Sequence, residues 1–447
     1  MICTIITPVG PGHMELFQTS CAPSVEQAKA WNMGPFTEVR HLMMDDTEGK
    51  FGRSARRNEA IAMAQEAGSD WVFFLDADDV MTPNAFEGFG RIIAEEPDLQ
   101  AVWGLICTFD EGGEPGLRED QAERLDTRED FLSFPPYAAV QIGGFIRTDC
   151  AARFGFDADM DTGEDYKLYC QLWDQCRCGK RAEIFFVNRR GQHSTGPRSA
   201  TGEDWYHETN RQWAEQLKQV EVWATIRDGE GAPARMRVTN PNDLIQMTHL
   251  RGKFFEADSL AKLKKLVKAP SPRIVEVGAN IGNHVVWYAQ HLDASRIYPV
   301  EPNPEALTLL NQNIAANGID TVIDRRGMGY GAGKSTGTFR TQTDNADNLG
   351  ATRLVADETG GIETKTLDAM MGDEKVDFIK IDAEGMELDV LEGARDLIAR
   401  DKPVIWVEVL RENMLGFAQS WCKSAGYRIV DSTTYVNTID YFAIPKE

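Results

Sequence analysis

Residues 71–79 read WVFFLDADD, an apolar run that ends in three aspartates. Asp76 and Asp78 are one residue apart, so a single loop can set one carboxylate on a divalent cation and the other near sugar or ribose hydroxyls. Hard oxygen ligands suit magnesium or manganese, with Asp78 the candidate ligand. Such a cation would bridge a diphosphate and neutralise its charge as it leaves. A second carboxylate pair, Glu164-Asp165, follows Gly163 and opens an amphipathic helical pattern. There it can complement the helix dipole or take a proton from an attacking hydroxyl. Far downstream, IVEVGANIGN (274–283) is another apolar run, ending in a glycine turn. Gly278 lets the chain turn tightly, and Gly282 lets the backbone approach a ligand. The spacing is not GxGxxG; with Glu276 it reads ExGxxxG. Glu301 ends the following apolar run, where a carboxylate can accept both ribose hydroxyls of a nucleoside cofactor. A nicotinamide enzyme also carries an acid there, so this feature alone leaves both cofactor classes open.

The elements that must carry these residues alternate strand and helix. Strand patterns cover Ile2–Thr7, Glu38–Met44 and Asp70–Leu75, with helical patterns near Met14–Trp31 and Arg53–Ala67. That alternation argues for a parallel sheet with helices on its faces. Ligands of such sheets bind beyond the carboxyl ends of the strands, where Asp45-Asp46 and Asp76–Asp79 fall. RDGEGAPAR (227–235) is rich in Gly, Pro and charge and is the expected linker. A helical stretch at 241–267 precedes a second alternation that begins at Arg273 and runs almost to the end.

The chain has 447 residues, 42% hydrophobic and 26% charged, enough for two or three domains with substantial cores. Its net charge of −23 repels polyphosphate, so a nucleic acid polymer is excluded as a partner. Met1 runs directly into ICTIIT, with no basic leader, and no run approaches the roughly 20 apolar residues that span a bilayer. Eight scattered cysteines fit a reducing cytoplasm better than a disulfide framework. Cys176 and Cys178 form a lone CxC with no convincing second pair for zinc.

The segment RRNEAIAMAQEAGSDWVFFLDADDVMTPNAF (56–86) resembles family-2 glycosyltransferases of the GT-A fold. So do the opening strand ending in Thr7-Pro8, the Asp45-Asp46 pair and GFDADMDTGEDYKLYCQLW (155–173). The resemblance implies that Thr7, Pro8, Asp45, Asp46, Arg57, Asn58, Asp76 and Asp78 form a nucleotide-sugar site. It implies a metal on Asp78, completed by His193 from RRGQHS (189–194), and catalysis by the Glu164-Asp165 pair, with Asp165 the general base.

In the second half, VDFIKIDAEGMELDVLEGA (376–394), KTLD (365–368), PVIWVEV (403–409) and RGKFFEADSLAKLKKLV (251–267) resemble FkbM-type methyltransferases. This implies S-adenosylmethionine as cofactor and O-methylation of a saccharide. Glu276, Gly278, Asn280 and Gly282 would form the cofactor turn, Glu301 would hold the ribose, and Asp382 and Glu384 would face methyl transfer. Lys380, Glu387 and Glu408 are further titratable groups nearby. His284 could contact the acceptor or serve the fold.

The expected architecture is α/β in two domains. Residues 1–226 form a GT-A, nucleotide-sugar Rossmann-like domain, 227–240 a linker, and 241–447 a Rossmann-like class I methyltransferase domain. The expected enzyme is cytoplasmic and bifunctional, with a nucleotide-sugar donor, Mn2+ or Mg2+, S-adenosylmethionine and a glycan acceptor. Peripheral association with glycan-assembly machinery stays open. The rival reading is a methyltransferase whose first domain only binds a glycan or nucleotide.

Overall fold

Strands whose residues are nearly all apolar need cover on both faces, and the chain meets that need twice. The computed structural model describes residues 1–110, 113–190, 202–227, 232–343, 352–357 and 359–446. It separates into two compact units, Met1–Val222 and Trp223–Glu447.

In the first unit, β1 (Ile2–Val9), β2 (Glu38–Asp45) and β3 (Trp71–Phe74) run parallel, β1 between the other two. The strands β4 (Val80–Met81), β5 (Ala101–Trp103), β6 (Cys107–Asp110), β7 (Gly116–Leu117), β8 (Phe145–Arg147), β9 (Cys178–Lys180) and β10 (Phe186–Arg190) follow. The main sheet has the order β2-β1-β3-β8-β5-β9, with β8 antiparallel to its neighbours, and a smaller sheet has the order β4-β10-β6-β7. All four residues of β3 are buried. Phe36, Trp71, Phe73, Phe89 and Phe145 pack in one core cluster, with Phe89 and Phe145 stacked at 4.2 Å. This rigid layer ends at Leu75, so the next residues, Asp76–Asp79, leave a fixed edge.

The second unit opens with the hairpin β11 (Val222–Ile226) and β12 (Ala234–Val238). Then come β13 (Arg273–Val277), β14 (Arg296–Val300), β15 (Tyr330–Ala332), β16 (Gly337–Thr343), β17 (Thr352–Ala356), β18 (Ile362–Lys365), β19 (Phe378–Ile381), β20 (Val404–Leu410), β21 (Tyr427–Thr434) and β22 (Thr438–Pro445). The main sheet has the order β14-β13-β19-β20-β22-β21, parallel through β20 and antiparallel at β22 and β21. A smaller sheet has the order β15-β18-β16-β17. Alternate residues serve opposite faces. Val275, Ile379, Ile381, Ile405 and Val407 enter one core cluster, while Ile274, Phe378, Trp406 and Phe442 enter the other. The order reverses direction beside β13, which leaves a crevice at the strand ends where such folds bind ligands.

The two units divide at Val222/Trp223, and β12 lies within the segment 227–240 expected as a linker. Ala234 and Met236 are fully buried in the second unit's core with Ile226. Asn317 and Asn313 accept hydrogen bonds from the Arg235 and Arg237 amides. The helical stretch at 241–267 is two helices, Leu244–Leu250 and Ala257–Leu266. They are broken where Gly252 and Glu256 take positive φ.

Fragments comprising 223–447 and 241–447 should therefore differ. The first should unfold cooperatively in urea. The second loses the buried side chains of Ala224, Ile226, Ala234, Met236 and Val238, the largest of them worth about 2–5 kcal/mol each, and should be insoluble or markedly less stable. Equal midpoints would show that the hairpin is dispensable.

Candidate active sites

Asp46 is almost fully buried, and its carboxylate accepts the amides of Lys50, Phe51 and Gly52 at 2.7–3.0 Å. That cage fixes the entry of the helix Arg53–Glu66. The helix carries Arg53 and Arg57 on one face, because residues four apart are neighbours on a helix. Both reach Glu164. Arg53 donates to its two oxygens at 2.5 and 3.1 Å, and Arg57 donates to Oε1 at 3.5 Å. Arg57 also donates to Asp76 Oδ1 at 2.5 Å. One buried guanidinium thus ties the aspartate loop to the carboxylate pair, with Glu164 lying 107 residues after Arg57.

The two members of that pair differ. Burial works against the charge of Glu164, but the Arg53 hydrogen bonds and the charges of Arg53 and Arg57 outweigh it and hold the carboxyl below its ordinary range. Burial and the neighbouring Glu164 push Asp165 up, only partly offset by a hydrogen bond from Trp205. Asp165 Oδ1 accepts the Trp205 indole N–H at 3.1 Å and the Tyr166 amide at 2.8 Å. Gly163 at φ +76° is required here: a Cβ would lie 2.9 Å from Glu208 Cγ and 3.0 Å from Gln212 Nε2.

In the aspartate loop, Asp76 and Asp78 are half-buried. Burial and the adjacent Asp76 raise Asp78, against its own backbone and the charges of His13 and Arg189. Asp79 is fully buried; its Oδ1 accepts the Asn188 side-chain amide and the Arg189 backbone amide, both at 3.0 Å, which pins β10 beneath the loop. Sequence reasoning gave Asp79 no role and missed Arg53 and Trp205. The Arg53/Arg57 spacing was the available signal. His193 lies outside the described residues.

The other expected donor-site residues divide. Asp45 is exposed and accepts from the amide and hydroxyl of Thr47 at 2.9 and 2.8 Å. Thr7 and Pro8 are buried within β1, and the Thr7 hydroxyl bonds His41 Nε2 at 2.9 Å. Asn58 exchanges two 2.8 Å hydrogen bonds with the backbone of Phe156. Asn58 and Asp46 spend these polar groups on loops that frame the site.

In the second unit, β13 ends at Gly278, φ +80°, where a Cβ would sit 1.9 Å from the Asp382 carbonyl oxygen. The chain next turns through Asn280 and Gly282, both at positive φ. Glu301, at the end of β14, is nearly buried and accepts the Asn280 amide at 2.7 Å and the Asn303 amide at 2.8 Å. Burial pushes it up to about 7 despite those bonds. A cavity of about 220 Å³ opens beside the turn, lined by Gly278, Asn280, Glu301, Lys380, Asp382 and Glu384 among others. Its cradle fits a nucleoside-bearing cofactor: a tight turn whose Gly278 position excludes a Cβ, and a carboxylate at the next strand end.

Strand register sets a row of charge on one sheet face. Glu276 pairs with Lys380, Lys380 with Trp406, and Glu408 with Asp440. Lys380 donates to Asp382 Oδ2 at 3.0 Å and lies 5.0 Å from the Trp406 ring centre. Burial disfavours its charge, but Asp382, Glu256 and Glu276 more than restore it and raise its affinity for the proton. Glu276 is buried, bonds His284 Nδ1 at 2.9 Å and is not among the residues that line the cavity. His284 Nε2 lies 3.2 Å from Glu256, so the ring bridges two carboxylates, and these outweigh burial to raise its basicity. Glu384 lines the cavity with φ +45°. Glu387 is buried and accepts the Gly385 amide at 2.6 Å.

Known proteins bear on both units. Residues 39–159 match the family model for glycosyl transferase family 2, and residues 276–429 match that for the methyltransferase FkbM domain. The hexuronic acid methyltransferase AglP of Haloferax volcanii is 27% identical over 172 residues, 38% of this chain and 67% of that protein. Among solved structures, S. aureus TarS 1-349 in complex with UDP-GlcNAc aligns at 11% identity and TM-score 0.38, over 50% of this chain and 68% of that one. Methyltransferase FkbM from Methylobacillus flagellatus aligns at 20% identity and TM-score 0.30, over 44% of this chain and 52% of that one. The chain is an enzyme with a glycosyltransferase family 2 domain in its first unit and an FkbM methyltransferase domain in its second.

Proposed function

We propose that both units are catalytic. The first transfers a sugar from a nucleoside-diphosphate donor to a glycan hydroxyl with inversion, and the second O-methylates a saccharide from S-adenosylmethionine. The observation that carries the first half is the Asp76–Arg57–Glu164–Arg53 network, which leaves Asp165 as the member of the pair not neutralised by arginine. Asp165 takes the acceptor hydroxyl proton as that oxygen attacks the anomeric carbon. The bond to the diphosphate breaks, and its electrons leave with the phosphate. A divalent cation at Asp78 would supply charge neutralisation for that leaving group. Asp76 and Asp78 fit one, because burial and the neighbouring Asp76 raise the cost of ionising Asp78 in a half-buried loop. Exposed Asp45 is the better placed of its pair to meet the nucleoside.

In the second unit, Glu301 receives the ribose hydroxyls, and the Gly278–Gly282 turn admits the nucleoside backbone-close. S-adenosylmethionine supplies the methyl group as a sulfonium. Asp382 and Glu384 face the acceptor, and a carboxylate among them takes its proton. The relative's name supports a sugar acid as acceptor class. Tethering both sites on one chain raises the local concentration of one product near the other site, which suits consecutive work on one glycan. No helix among the described residues is long and apolar enough to cross a membrane. We place the enzyme in the cytoplasm, at the periphery of glycan assembly.

Asp165→Asn should keep donor affinity and lower glycosyl-transfer turnover by at least about a hundredfold, the lower scale for losing a general base. Near-normal turnover would reduce the pair to helix capping.

Glu301→Ala should weaken S-adenosylmethionine by at least about tenfold in calorimetry, since each charge-assisted bond is worth about 1.5–3 kcal/mol. Hydroxyl donors favour the ionised carboxylate, and burial raises Glu301 from 4.5 to about 7. Cofactor affinity of the wild-type chain should therefore rise as pH climbs through about 7, and Glu301→Gln should flatten that slope. Unchanged affinity in both variants would misassign Glu301.

A further inference from the structure

Three carboxylates of the second unit come together without any sequence proximity. Glu256 precedes the helix Ala257–Leu266, Glu408 lies on β20, and Asp440 lies directly opposite Glu408 on β22. One oxygen from each lies within 4.8 Å of the others. Glu256 and Glu408 line the cavity beside the glycine turn.

An acidic cluster alone can be a solvated surface, but Asp440 cannot be read that way. It has no exposed surface, and neither of its oxygens receives a well-formed hydrogen bond among the described residues; the Trp406 indole N–H is a neighbouring donor that only weakly offsets its burial. A buried carboxylate without donors costs several kcal/mol unless something compensates it. The resident cations fall short. Lys380 spends its hydrogen bond on Asp382, and His284 is shared between Glu256 and Glu276. Five carboxylates, Glu256, Glu276, Asp382, Glu408 and Asp440, surround these two cations.

We propose that Glu256, Glu408 and Asp440 bind a divalent cation of the hard class, magnesium or manganese, in the wall of the second unit's cavity. All three ligands are carboxylate oxygens, the donors such ions prefer. Ligands from a loop and two adjacent strands are held by the sheet before the ion arrives, which lowers the entropic cost of assembling the site. Glu256 and Glu408 reach the cavity, so the ion can take an acceptor hydroxyl oxygen as a further ligand and orient it. The orienting role rests on the methyltransferase reading; the binding does not.

The test counts Mn2+ by electron paramagnetic resonance on the full-length chain carrying Asp78→Asn, which silences the aspartate loop of the first unit. The expected result is one bound Mn2+ per chain. Adding Asp440→Asn or, separately, Glu408→Gln should weaken it by at least about tenfold, the scale lost even for groups that only support a ligand. Glu408 is only partly buried, so its variant guards against a folding defect at Asp440. S-adenosylmethionine affinity, measured on the same proteins, should stay within a few-fold of the parent. No Mn2+ in the Asp78→Asn chain, or Mn2+ binding unchanged by both additional substitutions, would overturn the site. Loss of cofactor affinity in the parent chain would instead count against the methyltransferase reading.

Discussion

Burying a carboxylate costs more than a single hydrogen bond returns, and both sites are organised by how that cost is met. In the first unit, two guanidiniums four residues apart converge on Glu164, and one continues to Asp76. Breaking such a buried pair is far more damaging than its net worth, because an uncompensated charge is left behind. The helix Arg53–Glu66, the loop caged by Asp46 and the turn at Gly163 all serve to hold this one network in place. Its consequence is asymmetry: Glu164 is neutralised, while its neighbour Asp165 keeps a raised proton affinity suited to proton transfer.

The second unit meets the same cost differently. Its charges lie along one face of a parallel sheet, where register pairs Glu276 with Lys380 and Glu408 with Asp440. Lys380 and His284 compensate part of the row, and the remainder sits at the cavity wall. The glycine turn and Glu301 form a separate feature at the ends of β13 and β14. There the constraint is steric, because nothing larger than glycine fits against the Asp382 carbonyl.

Much of this was legible in the sequence because it is local. Apolar runs marked β1, β3, β13 and β14, and the motifs at their ends marked Asp76, Asp78, Gly278 and Glu301. The unread parts are those set by burial and long-range register. Arg53 looked like one basic residue among several, and its partner Glu164 lies 111 positions away. Asp79 looked equivalent to its neighbours until its burial and its bonds to Asn188 and Arg189 of β10 separated them. The segment 227–240 has the composition of a linker, yet its strand β12 is anchored by only a few apolar residues, Ala234 and Met236 among them, whose burial no local pattern announces. Asp440 belongs to no motif at all, and only the antiparallel pairing of β20 and β22 brings it to Glu408.

The claim on which the rest turns is that both sites act on one glycan. A double-label experiment tests it directly: the full-length chain is incubated with glycan acceptor from the producing cell, a panel of nucleotide sugars labelled in the sugar, and S-adenosylmethionine carrying a different isotope in its methyl group. The expected result is one product that carries both labels for at least one donor. Methyl label alone across the whole donor panel, on acceptor that is competent for methylation, would contradict two catalytic sites and leave the first unit as a binding module.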